Sequence, residues 1–156
     1  MDRAVVFTGK IFQVVREDGW EIVEHRDAVA IVPVSEGQVT LVRQLRAAVG
    51  GKVLELPAGL LEDGEAPLES ARRELREETG LHGGEWVEVA AFFTSPGFTD
   101  EKIHLFIATG LEQGEASPEE TEELEVVRVL LDQVPSLLDE IEDAKTLAGL
   151  LLLLRR

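Results

Sequence analysis

Three glutamates lie close together near the middle of this 156-residue chain: Glu74 and Glu78, four apart, with Glu77 beside them. On a helix, residues four apart project from one face, one turn above the other. Carboxylates stacked this way repel and weaken the helix unless a cation sits among them. Arg73 stands four before Glu77 and can pair with it. The Glu74/Glu78 stripe has no obvious positive partner in its local sequence. Hard oxygen ligands gathered there suit Mg²⁺ or Mn²⁺. Magnesium takes few carboxylates and keeps water and substrate phosphates as its other ligands. The run Arg72-Arg73-Glu74-Leu75-Arg76-Glu77-Glu78 also reads as a solvated helix face laced with ion pairs. Carboxylate spacing alone leaves both readings open.

The elements around these residues follow from pattern and punctuation. A helix is predicted from about Pro67 to Thr79. Proline suits its first turn, Gly80 supplies a left-handed stop, and Leu68, Ala71 and Leu75 form its apolar face. Before it, strands are predicted near 4–8, 11–15 and 20–25, then at 28–34 and 39–45 as a hairpin turning at Glu36-Gly37, and at 53–56. After it come strands near 86–93, 103–109 and 124–131, then helices near 132–141 and 144–154. The Leu150–Leu154 run is apolar over a full turn, which predicts burial on several sides. Strands interleaved with a central helix and a helical C-terminus give an α/β or α+β fold, a mixed sheet between helices.

Composition narrows the partners. Hydrophobic residues are 44% and charged residues 29%, an ordinary globular balance for one domain spanning 1–156. Fifteen Lys and Arg against 31 Asp and Glu give a net charge of −16, which disfavours a nucleic-acid partner. An anionic small substrate would need a cation or well-placed arginines. Cysteine is absent, so disulfides, thiolate metal sites and Cys nucleophiles are excluded. Met1-Asp2-Arg3-Ala4 lacks a signal-peptide pattern and no apolar run approaches the ~20 residues of a membrane span. A cytoplasmic protein with no membrane partner is therefore expected. His25, His82 and His104 have no metal-ligand spacing.

The wider spacing carries more information. From Gly59 the chain reads five residues, Glu65, seven residues, Arg73-Glu74-Leu75, one residue, Glu77-Glu78, one residue, Gly80-Leu81. This resembles the Nudix box, the signature of the Nudix hydrolases, at all nine specified positions across 23 residues. The resemblance implies an α/β/α sandwich and metal-dependent hydrolysis of a nucleoside diphosphate linked to another group, with Mg²⁺ as the usual ion and Mn²⁺ or another divalent ion as a substitute. It further implies Glu74 and Glu78 as principal metal ligands, Glu77 as a supporting one, and the Ala58 carbonyl as another. Arg73 would orient the glutamates, and Gly59 and Gly80 would shape the loop–helix–loop.

Outside the box, Ser95-Pro96-Gly97-Phe98-Thr99-Asp100-Glu101, Val42-Arg43-Gln44-Leu45-Arg46, Leu56-Pro57-Ala58-Gly59 and Ile141-Glu142-Asp143-Ala144-Lys145-Thr146 are similar to the ADP-ribose pyrophosphatase branch. That branch implies ADP-ribose as substrate, split to AMP and ribose 5-phosphate. It also implies a loop glutamate as general base, for which Glu120 is the candidate, and a further metal ligand, Glu122. Arg43 and Arg46 are the expected charge partners of the substrate. Trp20 and Phe98 are candidates for stacking on adenine. Arg26, Gly97 and Glu101 complete the expected substrate contacts. The N-terminal strands, 1–26, are expected to contribute to a homodimer with a shared site. Rival readings are Nudix hydrolysis of an ADP- or GDP-sugar, NADH, a nucleoside triphosphate or a diadenosine polyphosphate, and a nucleotide-sensing module without catalysis.

Overall fold

The computed structural model describes residues 2–117 and 123–156. Its strands are β1 (Arg3–Thr8), β2 (Phe12–Glu17), β3 (Trp20–His25), β4 (Ala28–Ser35), β5 (Gln38–Arg46), β6 (Gly51–Glu55), β7 (Ala58–Leu60), β8 (Leu81–His82), β9 (Glu85–Phe93), β10 (Lys102–Thr109), β11 (Glu112–Gln113) and β12 (Leu124–Leu130). Helix α1 (Pro67–Thr79) lies between β7 and β8; α2 (Val134–Leu137) and α3 (Ala144–Leu154) follow β12.

The central sheet runs β12-β5-β4-β10-β9, with β6 added to β5 and β7 to β4. Only β4 and β10 pair in parallel, so the sheet is mixed. β4 is apolar at consecutive positions because both faces are covered. Side chains alternate across a strand. Accordingly Val29 and Ile31 pack with Ala71 and Leu75 of α1, while Ala28, Ala30 and Val32 pack with Val134 and Leu150 on the other side. This is the expected α/β/α layering.

One departure from a regular sheet positions the site. β4 and β5 pair only at their turn, through Val34↔Val39 and Ser35↔Gln38, and then separate. β6 continues along β5 and β7 along β4, and the connecting Pro57 carbonyl accepts from the Ile31 amide at 2.9 Å. The chain therefore crosses the opened seam just before α1.

Strands β1–β3 form a separate antiparallel sheet. It is joined to the 98–100 loop by Val23: its amide donates to the Phe98 carbonyl at 2.7 Å and its carbonyl accepts from Asp100 at 3.3 Å.

Two expectations are corrected. The helix predicted near 132–141 is a 3-10 turn (Leu131–Gln133), the four-residue α2 and a second 3-10 turn (Leu138–Glu140). Pro135 has no amide to donate, so it sits in the first turn of the short α2, where none is needed. The Leu150–Leu154 run is buried at Leu150 alone, with Leu151 and Leu154 exposed. α3 buries Thr146, Gly149 and Leu150 against the sheet, with Leu152 and Leu153 partly buried on the same core. No helix among the described residues is long and apolar enough to cross a membrane.

Candidate active site

Helix α1 presents the glutamates, and both of its ends are set by local chemistry. Pro67 occupies the first turn and the Glu69 carboxylate accepts from the Ala66 amide at 3.4 Å. At the other end Gly80 has φ 77°, and its amide donates to the Arg76 carbonyl at 2.9 Å. A Cβ there would lie 2.4 Å from the Gly114 carbonyl oxygen, so both conformation and space require glycine. Gly59, in β7, is required for a different reason: a Cβ would fall 2.0 Å from the Glu74 carboxyl carbon. The Glu74 head group therefore lies directly over the β7 backbone at Gly59.

Arg73 ties this helix to the preceding loop. Its Nε and Nη2 donate to the two Glu65 oxygens at 2.9 and 3.0 Å, its Nη1 to Glu74 Oε1 at 2.8 Å and Glu77 Oε2 at 3.3 Å, and its Nη2 also to the Leu60 carbonyl at 3.2 Å. The bidentate bond to Arg73 holds the Glu65 carboxyl down at about 2, and the same bond raises the Arg73 guanidinium above its ordinary range. The local sequence showed no cation for the Glu74/Glu78 stripe. The structure corrects this at Glu74, because Glu65 and the Leu60 carbonyl draw the guanidinium across the helix toward it. Glu78 is buried at 3% exposure, and Glu77 is the most open of the three.

The donor set tests the fit to a divalent cation. Among the described residues, no three His, Asp or Glu side chains converge as a ready metal cluster. Magnesium does not require one; it binds through one or two carboxylates and fills the octahedron with waters and phosphate oxygens. The Glu74 carboxylate packed on β7, the Glu78 carboxylate on the same helix stripe and the backbone at Ala58 are all hard oxygen donors. They fit Mg²⁺ or Mn²⁺ and suit no soft metal. Glu120 and Glu122 lie outside the described residues. The chain leading to them is tied to α1, since the Ser117 amide donates to the Glu77 carbonyl at 2.9 Å.

The other expected substrate residues fall into three places. Arg46 lies against Glu55, with Nε and Nη2 each 2.7 Å from a carboxylate oxygen. That bond raises the Arg46 guanidinium, as do the nearby charges of Asp143 and Glu78. Arg43 is 3.7 Å from Glu125 on β12. Arg26 donates to the Leu61 carbonyl at 3.3 Å, beside the start of the Gly59–Leu81 segment. Trp20, Gly97 and Phe98 share a cleft of about 480 Å³ with Phe93 and Pro96. Trp20 is 72% exposed and Phe98 57%. Glu101 borders that loop, accepting from the Thr94 hydroxyl at 2.7 Å and lying 3.4 Å from His25 Nδ1.

Sequence reasoning missed Glu55, Lys145 as its partner, and Phe93. Glu55 is 2% exposed at the end of β6. Burial alone would raise its carboxyl, but the Arg46 bond and Lys145, 2.7 Å away, outweigh that and hold it below the ordinary range. Lys145 also meets Asp143, which caps α3 by accepting from the Thr146 amide and hydroxyl; that hydroxyl in turn accepts from the Leu56 amide. The only local hint was Asp143-Ala144-Lys145-Thr146, an N-cap signal.

A model of the NUDIX domain matches residues 24–150. An ADP-ribose pyrophosphatase of Bacillus subtilis is 40% identical over 155 residues, covering 90% of this chain and 84% of that protein. An ADP-sugar pyrophosphatase of Mus musculus is 42% identical over 89 residues, 53% of this chain and 40% of the mouse protein. A crystal structure of an ADP compounds hydrolase superposes with a TM-score of 0.84 at 24% identity, over 99% of this chain and 91% of that one, a likeness of fold. With a box complete at every specified position and the domain matched over most of its length, this chain belongs to the Nudix hydrolase family.

Proposed function

We propose that this chain hydrolyses ADP-ribose to AMP and ribose 5-phosphate with Mg²⁺, in the cytoplasm. The observation that carries the reading is the Glu74 carboxylate seated over Gly59, with Arg73 clamping it, in a chain 40% identical over nearly its whole length to an ADP-ribose pyrophosphatase. Nudix hydrolases generally use a divalent ion; Mn²⁺ or another such ion would substitute here.

Glu74, Glu78 and the Ala58 carbonyl would hold the ion, with Glu77 in support and Glu122 as a further ligand. When bound, the ion neutralises charge on the diphosphate oxygens and acidifies a water. Arg73 orients Glu74 and Glu77 and, through Glu65, fixes the loop ahead of α1. Water adds to one phosphorus, its proton passes to a carboxylate, for which Glu120 is the candidate, and the bridging P–O bond breaks with its electron pair on the departing phosphate.

Trp20 and Phe98 offer exposed aromatic faces in one cleft, the chemistry an adenine ring needs. Gly97 lines it, Glu101 borders the adjacent loop, and Arg26 lies apart against the Leu61 carbonyl. Arg43 and Arg46 supply guanidinium forks, Arg46 already set by Glu55. The β1–β3 sheet exposes Val5, Val6 and Phe7, an apolar strand that supports the homodimer reading.

The test is product analysis with ADP-ribose in Mg²⁺ and after chelation, beside ADP-glucose, GDP-mannose, NADH, GTP and a diadenosine polyphosphate. Metal-dependent AMP plus ribose 5-phosphate, fastest from ADP-ribose, is expected. Faster turnover of ADP-glucose would favour the ADP-sugar reading, which the mouse relative supports. Tight nucleotide binding without turnover would replace catalysis by sensing.

A further inference from the structure

A second cleft, of about 870 Å³, opens between α1, the turn after β8 and the described chain at 115–117. In a chain of net charge −16 its wall is unexpectedly basic: Arg72, Arg73 and Arg76 line it, with His82 alongside. Arg73 is committed to Glu65, Glu74 and Glu77. Arg72 and Arg76 lie on a different stripe of α1 from Glu74 and Glu78, are exposed, and form no ion pair among the described residues.

The cleft has a prepared aromatic wall. Trp86 is fixed by its Nε1, which donates to the Gly83 carbonyl at 2.8 Å, and by edge-on contact with Phe106 at 6.3 Å between ring centres. The Arg72 guanidinium rests over that indole, 5.9 Å from its centre. A cation stacked on a fixed ring loses less freedom on binding an anion than one waving in solvent. Arg72 and Arg76 stand one helical turn apart, ~5–6 Å between Cβ atoms, a span that a tetrahedral oxyanion bridges. Guanidinium forks match phosphate oxygens. Gly83 and Gly84 bring no side chain to the wall. The opposing charges are Glu77, which shares Arg73 with Glu65 and Glu74, Glu115 on the wall, and Glu112, 4.0 Å from His82. These carboxylates oppose the anion, and the forks of Arg72 and Arg76 must outweigh them.

We propose that this cleft, which shares the Arg73–Glu77 wall with the hydrolytic site, holds an anion subsite that takes the phosphate group of a small phosphate monoester between Arg72 and Arg76. The volume exceeds what a phosphate fills and leaves room for an organic remainder. The inference does not depend on which nucleotide the enzyme splits.

The test uses the full chain, stripped of metal with a chelator and then desalted, in a Trp20→Phe background. Because the chain has two tryptophans, that background leaves Trp86 as the only indole. Inorganic phosphate is expected to change its emission saturably, and chloride at equal ionic strength is expected not to. Arg76→Gln leaves the Arg72–Trp86 contact in place and is expected to weaken phosphate at least tenfold, while turnover in Mg²⁺ stays near that of the parent. Equilibrium dialysis with radiolabelled phosphate makes the same comparison without the indole. The site is disproved by a response that never saturates, that chloride reproduces, or whose midpoint is the same in Arg76→Gln.

Discussion

The Glu74 carboxylate rests on Gly59 so closely that a Cβ at residue 59 would sit 2.0 Å from its carboxyl carbon. A helix side chain and a strand backbone are thereby locked in one position, although the two residues lie fifteen apart in sequence. Gly59→Ala must push Glu74 aside. Overpacking of this kind costs ~1–3 kcal/mol. The expected outcome is a folded protein with a lowered melting temperature and at least a tenfold loss of kcat/KM. Wild-type turnover in Gly59→Ala would show that Glu74 need not sit there.

Glu78→Gln removes one carboxylate charge from a buried position while keeping its shape. The fold is expected to survive, as circular dichroism would report. Activity is expected to fall at least ~100-fold, since even the outer partners of metal ligands are worth ~10–100-fold. Near-wild-type turnover, or unchanged Mg²⁺ dependence of the residual rate, would remove Glu78 from the metal set.

Acid stability should report the Glu65–Arg73 clamp. The Arg73 guanidinium holds the Glu65 carboxyl down at about 2, below the ordinary 4.5 of a free glutamate. A folded value below the unfolded one means the clamp contributes its full stability above about pH 4.5 and loses it as pH falls toward 2. Glu65→Gln is therefore expected to be less stable than the parent at neutral pH, with the difference shrinking across that window. Equal denaturation midpoints for the two proteins at pH 7 and at pH 3 would contradict this.

Glu55 carries two cations in a nearly dry position. Glu55→Ala is expected to lower the melting temperature and to raise KM, because Arg46 loses the carboxylate that sets its fork. A variant that melts with the parent would show the network to be dispensable.

Trp20→Ala should separate recognition from chemistry. Stacking of a base on an aromatic side chain is worth ~1–3 kcal/mol. If Trp20 meets the adenine ring, KM for ADP-ribose rises about 5- to 150-fold with kcat little changed. An unaltered KM would assign the cleft at Trp20, Phe93 and Phe98 to another purpose.

What the sequence determined by itself is what local physics controls. The α1 bounds, Pro67 to Thr79, came out as predicted because a proline start, an apolar spacing and a glycine stop all act within one or two turns. The spacing of Glu74, Glu77 and Glu78 is likewise a property of one helix. Pro135 was visible too, and the prediction of an unbroken helix there gave its missing amide too little weight. What only the tertiary structure decided is everything that depends on distant segments meeting. Arg73 meets Glu65, besides the two carboxylates of its own helix, because the loop at Glu65 folds back over α1. Glu55 is a charged centre because Arg46 and Lys145, nine and ninety residues away, arrive at the same buried point. Nothing near Glu55 in the chain marks that meeting. The exposure of Leu151 and Leu154 has the same origin: periodicity says how a helix can be buried, and only the neighbours present say how much of it is.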